Sequence, residues 1–388
     1  MTRVIEWGVR RRPHALGVAF LIGLMMLVPI AAAATPQDDQ SDGHDRTGDA
    51  RVMVQSPHPP AGHGVLASKD RDGETATAAF QVAQAPRPPR DAGIPRRRGS
   101  MVGYIEEAVV GSKVRVRFDT AQHDFEPDRA EFFYSKCGCY SLLDHFDAAY
   151  DANAPGPKPG AADDVNFQQL YILGEYAVNE RFSAFGELPT RWLQPQSFNS
   201  KVGGSFPNQT GIGDVRFGVK GALLSTPEQV VTVRAQVYSP TGDAGSGLGT
   251  NHWSLEPTLL YYQSLSDRVV VESQVGMWFP FGGSAGVPIS SSNKFSGNVF
   301  SYGFGPSFEV YRGNRVRFAP IVELVGWHVL SGFQSVAEDA SGTNIVNIKI
   351  GARTSWDPGN SFYVGYGRVL TDAGWYKDIV RLEYRYSF

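Results

Sequence analysis

Side chains able to do chemistry are thinly spread along the 388 residues. His252-Trp253-Ser254 sets an imidazole and a hydroxyl two residues apart. On a strand these share one face and could act as base and nucleophile, if a third group oriented the ring. No third member is legible, and the plainer reading is a loop-ending His252 and a space-filling Ser254, so no catalytic residue is assigned. Asp214, Glu256, Glu272, Glu309, Glu323 and Glu383 could supply paired carboxylates for acid–base work. Arg216, Arg317, Lys349, Arg353, Arg381 and Arg385 occupy comparable positions, and mutual neutralisation of the two signs on one wall is the simpler expectation. Cys137 and Cys139 are the chain's two cysteines, too few for a disulfide scaffold. They could form a local disulfide, remain thiols or bond another chain, or supply half a metal site with His123 or His145. Asp124, Glu126 and Asp128, like Asp163-Asp164, lack the glycine and spacing of a calcium loop and read as solvated surface. Neither a metal nor a cofactor is expected.

What must position these groups is a set of strands. From Lys113 onward, short runs alternate apolar and polar residues, the period of a strand. Val380, Leu382, Tyr384, Tyr386 and Phe388 share one face, and Arg381, Glu383 and Arg385 the other. Ile348, Ile350, Ala352 and Trp356 oppose Asn347, Lys349, Gly351 and Arg353, and Val231 to Val237 behaves likewise. Such runs begin near Lys113, Asn166, Arg181, Gly213, Gln229, Trp253, Arg268, Asn298, Arg315, Ile345, Ser361 and Asp378, about 12 strands. The run from Phe362 to Leu370 is ambiguous in phase, because Arg368 falls on the face of Val364 and Tyr366.

The connections alternate in length. Asn179-Glu180, Ser225 to Glu228, Ser266-Asp267, Gly313-Asn314 and Asp357 to Asn360 are tight turns. Between them lie the longer stretches Thr120 to Val165, Gln194 to Ile212, Thr241 to His252, Gly282 to Gly297 and Ser331 to Thr343. Short turns at one end and long loops at the other describe an all-β, up-and-down antiparallel transmembrane β-barrel. Trp253, Trp356, Tyr386 and Phe388 sit near strand ends on the apolar faces, where aromatic girdles form. The apolar face is therefore assigned to lipid and the polar face to the lumen. The lumen lining is then Arg216, Lys220, Arg234, Glu256, Glu272, Glu309 and Arg317, continuing with Glu323, Lys349, Arg353, Arg381, Glu383 and Arg385. A barrel of this strand number has a narrow lumen, constricted by an inward loop or by the segment Tyr104 to Val110. Selectivity would come from pore radius and lining polarity.

The chain before the strands reads differently. Arg10 to Arg12, an apolar stretch from Ala15 to Ile30 and Ala31 to Ala34 have the order of a cleaved secretory leader over residues 1–34. Residues 35–100 are rich in Pro, Asp, Gly and Arg with hardly an aromatic, the composition of a disordered periplasmic linker. Residues 101–388 make the barrel domain. A net charge of −3 gives no support for a nucleic-acid partner. With 43 Gly, 16 Tyr, 23 Phe and 7 Trp, the composition favours β structure with many turns.

Phe388, Tyr386, Tyr384, Leu382 and Val380 resemble the terminal strand signal read by the outer-membrane assembly machinery. Gly211-Ile212-Gly213-Asp214-Val215-Arg216-Phe217-Gly218 is similar to the Gly-x-Gly-Asp strand opening of the meta-pathway phenol-degradation family. Those proteins are outer-membrane barrels encoded near aromatic-degradation enzymes, with fatty-acid and hydrocarbon transporters among their broader relatives. The resemblance covers about Asn166 to Phe388 in layout. It implies an outer-membrane location, with lipid, the assembly machinery and a small-molecule solute as partners. The long first loop with its cysteines and the N-terminal arm depart from the family's usual form, and no functional residue is carried over. The function expected is passive passage of small solutes, hydrophobic or aromatic ones among them. The rivals are a structural or adhesive barrel and a lipid hydrolase. The His-x-Ser spacing occurs in outer-membrane phospholipases, but Leu255 and Glu256 stand where their Asn-Gly should follow.

Overall fold

Alternation of apolar and polar residues lets a strand satisfy two surroundings at once, and the computed structural model shows which is which. It describes residues 99–126, 136–283, 294–335, 338–356 and 359–388; the expected leader and nearly all of the linker lie outside them, as does Asp128. The strands run β1 (Lys113–Asp124), β2 (Ala162–Asn179), β3 (Phe182–Phe198), β4 (Gln209–Ile212), β5 (Arg216–Ser225) and β6 (Gln229–Tyr238). They continue with β7 (Trp253–Ser264), β8 (Val269–Phe281), β9 (Val299–Phe308), β10 (Tyr311–Arg312) and β11 (Val316–Val329). The short β12 (Phe333–Ser335) and β13 (Glu338–Asp339) form a loop hairpin, before β14 (Asn344–Trp356), β15 (Asn360–Val369) and β16 (Asp378–Ser387).

Leaving aside the short β4, β10, β12 and β13, twelve strands pair antiparallel in chain order, β9 passing directly to β11 and β11 to β14. β16 returns to β1, from Lys113↔Ser387 to Gln122↔Asp378, so the sheet closes on itself. Closure removes the edge whose unpaired amides lipid could not satisfy. The short turns all lie at one end with the start of β1 and the end of β16, and the long loops at the other. No helix among the described residues is long and apolar enough to cross a membrane; this barrel would cross with strands.

Inside and outside separate by parity as the pattern demands. In β16, Arg381, Glu383 and Arg385 are buried while Val380, Leu382, Tyr384 and Tyr386 are exposed. Ile350 is 55% exposed beside Lys349 at 1%. A soluble barrel would bury its apolar parity; this one presents it outward. Trp253 faces out at the long-loop end, and Trp356, Tyr386 and Phe388 at the other. The phase of β15 is also settled. Arg368 faces out with Val364 and Tyr366, at the strand end where it meets Asp378 at 3.7 Å.

One expected boundary is corrected. The Gly-x-Gly-Asp stretch interrupts a strand rather than opening one. β4 pairs with β3 at Thr190–Leu193, β5 pairs with β3 at Phe182–Glu187, and residues 213–215 step away between them. The step is fixed by the Gly213 amide donating to Pro189 O (2.9 Å) and by Asp214 turning into the adjoining loop. Asp214 accepts from the amides of Gly242 (3.0 Å) and Thr250 (2.8 Å), so it organises a loop and does not line the lumen.

Candidate functional site

The inward parity would leave a tube of charged side chains, but the chain fills the lower part of that tube with its own backbone. Gly99–Ser112 enters at the short-turn end, reaches farthest in at Tyr104–Glu106 and returns to the base of β1. Ser100, placed by composition in the linker, is already buried here. The segment lacks strand pairing, so its amides and carbonyls need other partners, and the lumen side chains provide them. Glu323 accepts from three consecutive amides, those of Gly103 (3.3 Å), Tyr104 (3.0 Å) and Ile105 (2.8 Å). A carboxylate in such a run of N–H groups makes charge-assisted bonds. Glu272 accepts from Met101 at 3.2 Å, and Gln274 from Glu106 at 2.8 Å. Arg381 donates to Gly103 O (2.7 Å), Lys220 to Glu107 O (3.2 Å) and Thr232 to Ala108 O (2.6 Å). Gly303 and Gly305 make room: a Cβ on Gly303 would lie 3.0 Å from Ile105.

This arrangement corrects part of the expected charge network. Glu272 and Glu323 serve plug amides rather than cross-strand arginines, and Glu309 pairs with Arg312 at the short-turn end. Arg317 is half-buried at that same end of β11. The remaining groups do pair across strands. Glu383 takes Arg353 of β14 at 2.7 Å, besides Arg385 of its own strand at 2.9 Å, and Glu256 takes Arg234 at 3.3 Å. Arg216 reaches Glu187 at 3.2 Å, Lys220 reaches Glu175 at 3.1 Å, and Arg381 grips Asp119 with two 2.7 Å bonds. The plug joins the same network through Glu107, which meets Lys113 at 2.6 Å and Arg385 at 3.0 Å.

Above the plug lies a cavity of about 210 Å³. Its cationic lining is Arg117, Arg191, Arg216, Arg234, Lys349 and Arg381; its carboxylates are Glu106, Asp119, Glu187 and Glu256. Trp278, Trp327, Trp375, Tyr376 and Phe167 give it aromatic surface, as do Tyr104, Tyr171 and Tyr238 beneath the cations, and Val299, Val325 and Ile379 extend the apolar lining. The Trp327 and Trp375 rings lie 4.7 Å apart, centroid to centroid. Burial pushes the Tyr376 hydroxyl's pKa upward, so it stays protonated at neutral pH, and Lys349 Nζ donates to it at 2.6 Å.

Several of these residues escape a reading by periodicity. Arg115, Arg117 and Asp119 alternate plainly along β1, but Glu175 and Glu187 pair with cations far away in sequence and Arg191 donates to Leu248 O, which no local pattern reveals. Trp278 and Trp327 share parity with Gln274 and Glu323, a signal that aromatics near strand ends can face inward as well as outward.

The remaining candidates are placed as follows. Cys137 and Cys139 are joined as a disulfide in the first long loop, beside a short 3-10 turn. His123 contacts Asp164 at 2.8 Å, and among the described residues no cluster of three or more His, Cys, Asp or Glu converges on a metal-sized site. His252 lies between two hydroxyls, Ser254 Oγ 3.1 Å from Nδ1 and Ser296 Oγ 2.8 Å from Nε2. A triad needs one ring nitrogen on the nucleophile and the other on an orienting group, with the nucleophile open to substrate. Here Ser254 is fully buried, and the ring ties a loop to the wall.

A family model described as "Putative MetA-pathway of phenol degradation" matches residues 171–374. Among solved structures, the chain is similar to the COG4313 outer membrane channel from Pseudomonas putida F1, with 15% identity and a TM-score of 0.44 over 74% of this chain and 99% of that one. It is also similar to the NanC porin, at 8% identity and a TM-score of 0.39 over 71% of this chain and 100% of that one. LpxR from Salmonella typhimurium matches at 9% identity and a TM-score of 0.39, over the same two shares. No curated protein matches in sequence.

Proposed function

The chain belongs to the MetA-pathway phenol-degradation family, whose match takes in 204 of its 388 residues, and on that premise we propose that it is an outer-membrane barrel for passive passage of small solutes, hydrophobic or aromatic ones among them. The observation that carries this reading is the division of the lumen. An aromatic and charged cavity occupies the long-loop half, and a segment without strand pairing, held by hydrogen bonds, ion pairs and the apolar packing of Met101, Val102, Ile105 and Ala108, fills the other half. A barrel built purely as a scaffold could fill its lumen with wall side chains. Here the filling is a separate stretch of chain, which can shift without breaking the wall. The partners in this reading are outer-membrane lipid on the apolar outside, the machinery that inserts barrels, and the solute.

Solute-swelling and planar-bilayer measurements on the refolded protein test this. The intact chain should pass small solutes slowly, and a chain lacking residues 99–111 should pass them faster. If neither form passes any solute, the transport reading fails and the structural or adhesive one takes its place. Hydrolysis of lipid that disappears with Ser254→Ala would instead mark an enzyme.

A further inference from the structure

The cavity's chemistry is lopsided in two ways, and together they define a ligand. Its indoles gather on one side of the wall, although Phe167, Tyr171 and Tyr238 also line it among the guanidiniums. Arg117, Arg191, Arg216 and Arg234 project from β1, β3, β5 and β6, while Trp278 and Trp327 project from β8 and β11. Charge is unequal as well, with six cationic side chains lining the space against four carboxylates. An excess of positive charge between the low-dielectric walls of a narrow lumen is costly to maintain and concentrates anions there.

Lys349 marks where the anion belongs. Its side chain is buried, and no carboxylate among the described residues comes within salt-bridge distance of its ammonium. Nζ donates to Tyr376 at 2.6 Å and lies over two rings, 4.4 Å from the centroid of Tyr104 and 4.5 Å from that of Tyr376. Gly367 opposite leaves room for this pose, since a Cβ there would fall 2.8 Å from Nζ. An ammonium has three donors, and one hydroxyl with two ring faces leaves it short of a negative partner. The Trp375 ring adjoining Tyr376 is the one that packs at 4.7 Å on Trp327. A packed indole pair and an ammonium without a carboxylate partner among the described residues therefore share one end of the cavity. At about 210 Å³ the space falls below the roughly 300–1,000 Å³ of drug-sized sites, which suits one aromatic ring and not an extended chain.

We propose that this cavity binds single-ring aromatic carboxylates, the ring against Trp327 and Trp375 and the carboxylate at Lys349. The proposal rests on the passage reading and gives it a substrate class.

The test is calorimetric titration of the refolded full-length barrel with three probes: benzoate, its neutral analogue benzamide, and the ringless anion acetate. Benzoate should bind saturably, with benzamide and acetate each at least about tenfold weaker. Lys349→Met should bring benzoate and benzamide within about threefold of each other. Heat-modifiable gel mobility confirms that the variant is folded; should it not fold, the three-probe series on the unaltered protein decides alone. Benzoate and benzamide binding equally to the unaltered protein overturns charge recognition at Lys349, and benzoate and acetate binding equally overturns ring recognition by Trp327 and Trp375. Solute passage without benzoate binding defeats this proposal and leaves the channel standing. Benzoate binding without passage of any solute does the reverse.

Discussion

The guanidinium of Arg353 lies 2.7 Å from the Glu383 carboxylate and, from the same buried position, donates to the carbonyls of Met101 (3.0 Å) and Val102 (2.7 Å). One side chain thus binds wall to wall and wall to plug. Arg353→Met should loosen both. Breaking a buried ion pair costs about 3–5 kcal/mol, and the low end applies because Glu383 keeps Arg385 at 2.9 Å. The expected outcome is higher conductance together with a lower urea midpoint for the refolded protein. Unchanged conductance would show that Arg353 holds the wall alone.

Deletions should separate arm from plug. A chain starting at Gly99 behind a new leader keeps every described contact between residues 99–112 and the wall, so insertion and conductance should match the intact protein. A chain starting at Ser112 strips Glu323 and Glu272 of their amide donors and Arg353 of two acceptors. It should conduct more and unfold at lower denaturant, since each buried group left unsatisfied costs about 1–3 kcal/mol. Equal conductance for the two truncations would refute the plug.

Much of this wall was legible because a strand's period of two leaves each face a single environment. Val380 to Phe388 and Ile345 to Trp356 could be assigned inside and out from sequence alone. The plug was only hinted at. Tyr104 to Val110 shows no period, and its recognition depends on Glu323 and Glu272, more than 160 residues away. Lumen carboxylates were expected to meet lumen arginines because alternation reports a residue's face and not its partner. Glu323, which meets amides instead, shows the limit of that inference.

Lipid-facing and lumen-facing neighbours should respond differently. Ile350 stands outward near the middle of β14, and Ile350→Arg should cost about 2–4 kcal/mol in a bilayer. Lys349→Met, one residue away, should alter solute binding more than the unfolding midpoint. Unfolding titrations in vesicles give both values, and equal destabilisation would contradict the inside–outside assignment.

Gly303 and Ile105 should be coupled. A side chain on Gly303 would press on Ile105, whose Cγ1 lies 3.0 Å from an added Cβ. Gly303→Val should therefore displace the plug and raise conductance, and Ile105→Ala should partly reverse it by vacating that volume. Contacting residues of this kind typically show a coupling of about 0.5–3 kcal/mol in a double-mutant cycle. Strict additivity in unfolding free energy and in conductance would mean that the two residues do not meet.

Closure itself can be trapped covalently. Val116 and Tyr384 are register partners across the β1–β16 seam, both on the outward face and away from the buried ion pairs. Paired Cα atoms in an antiparallel ladder lie about 4.5 or 5.5 Å apart, within the range a disulfide spans. Cysteines at these two positions, in a background with Cys137 and Cys139 changed to serine, should oxidise to a bridge linking the first wall strand to the last. The bridged barrel should keep its compact gel mobility on heating and lose it only after reduction. The control pairs Val116 with Val380, four residues along the strand and thus about 13 Å out of register. Bridging at Val116 and Tyr384 but not at the control establishes both closure and register. Inserted protein that bridges at neither pair, or at both equally, would sink the closed wall as described, because a seam with no fixed partner leaves amides open to lipid.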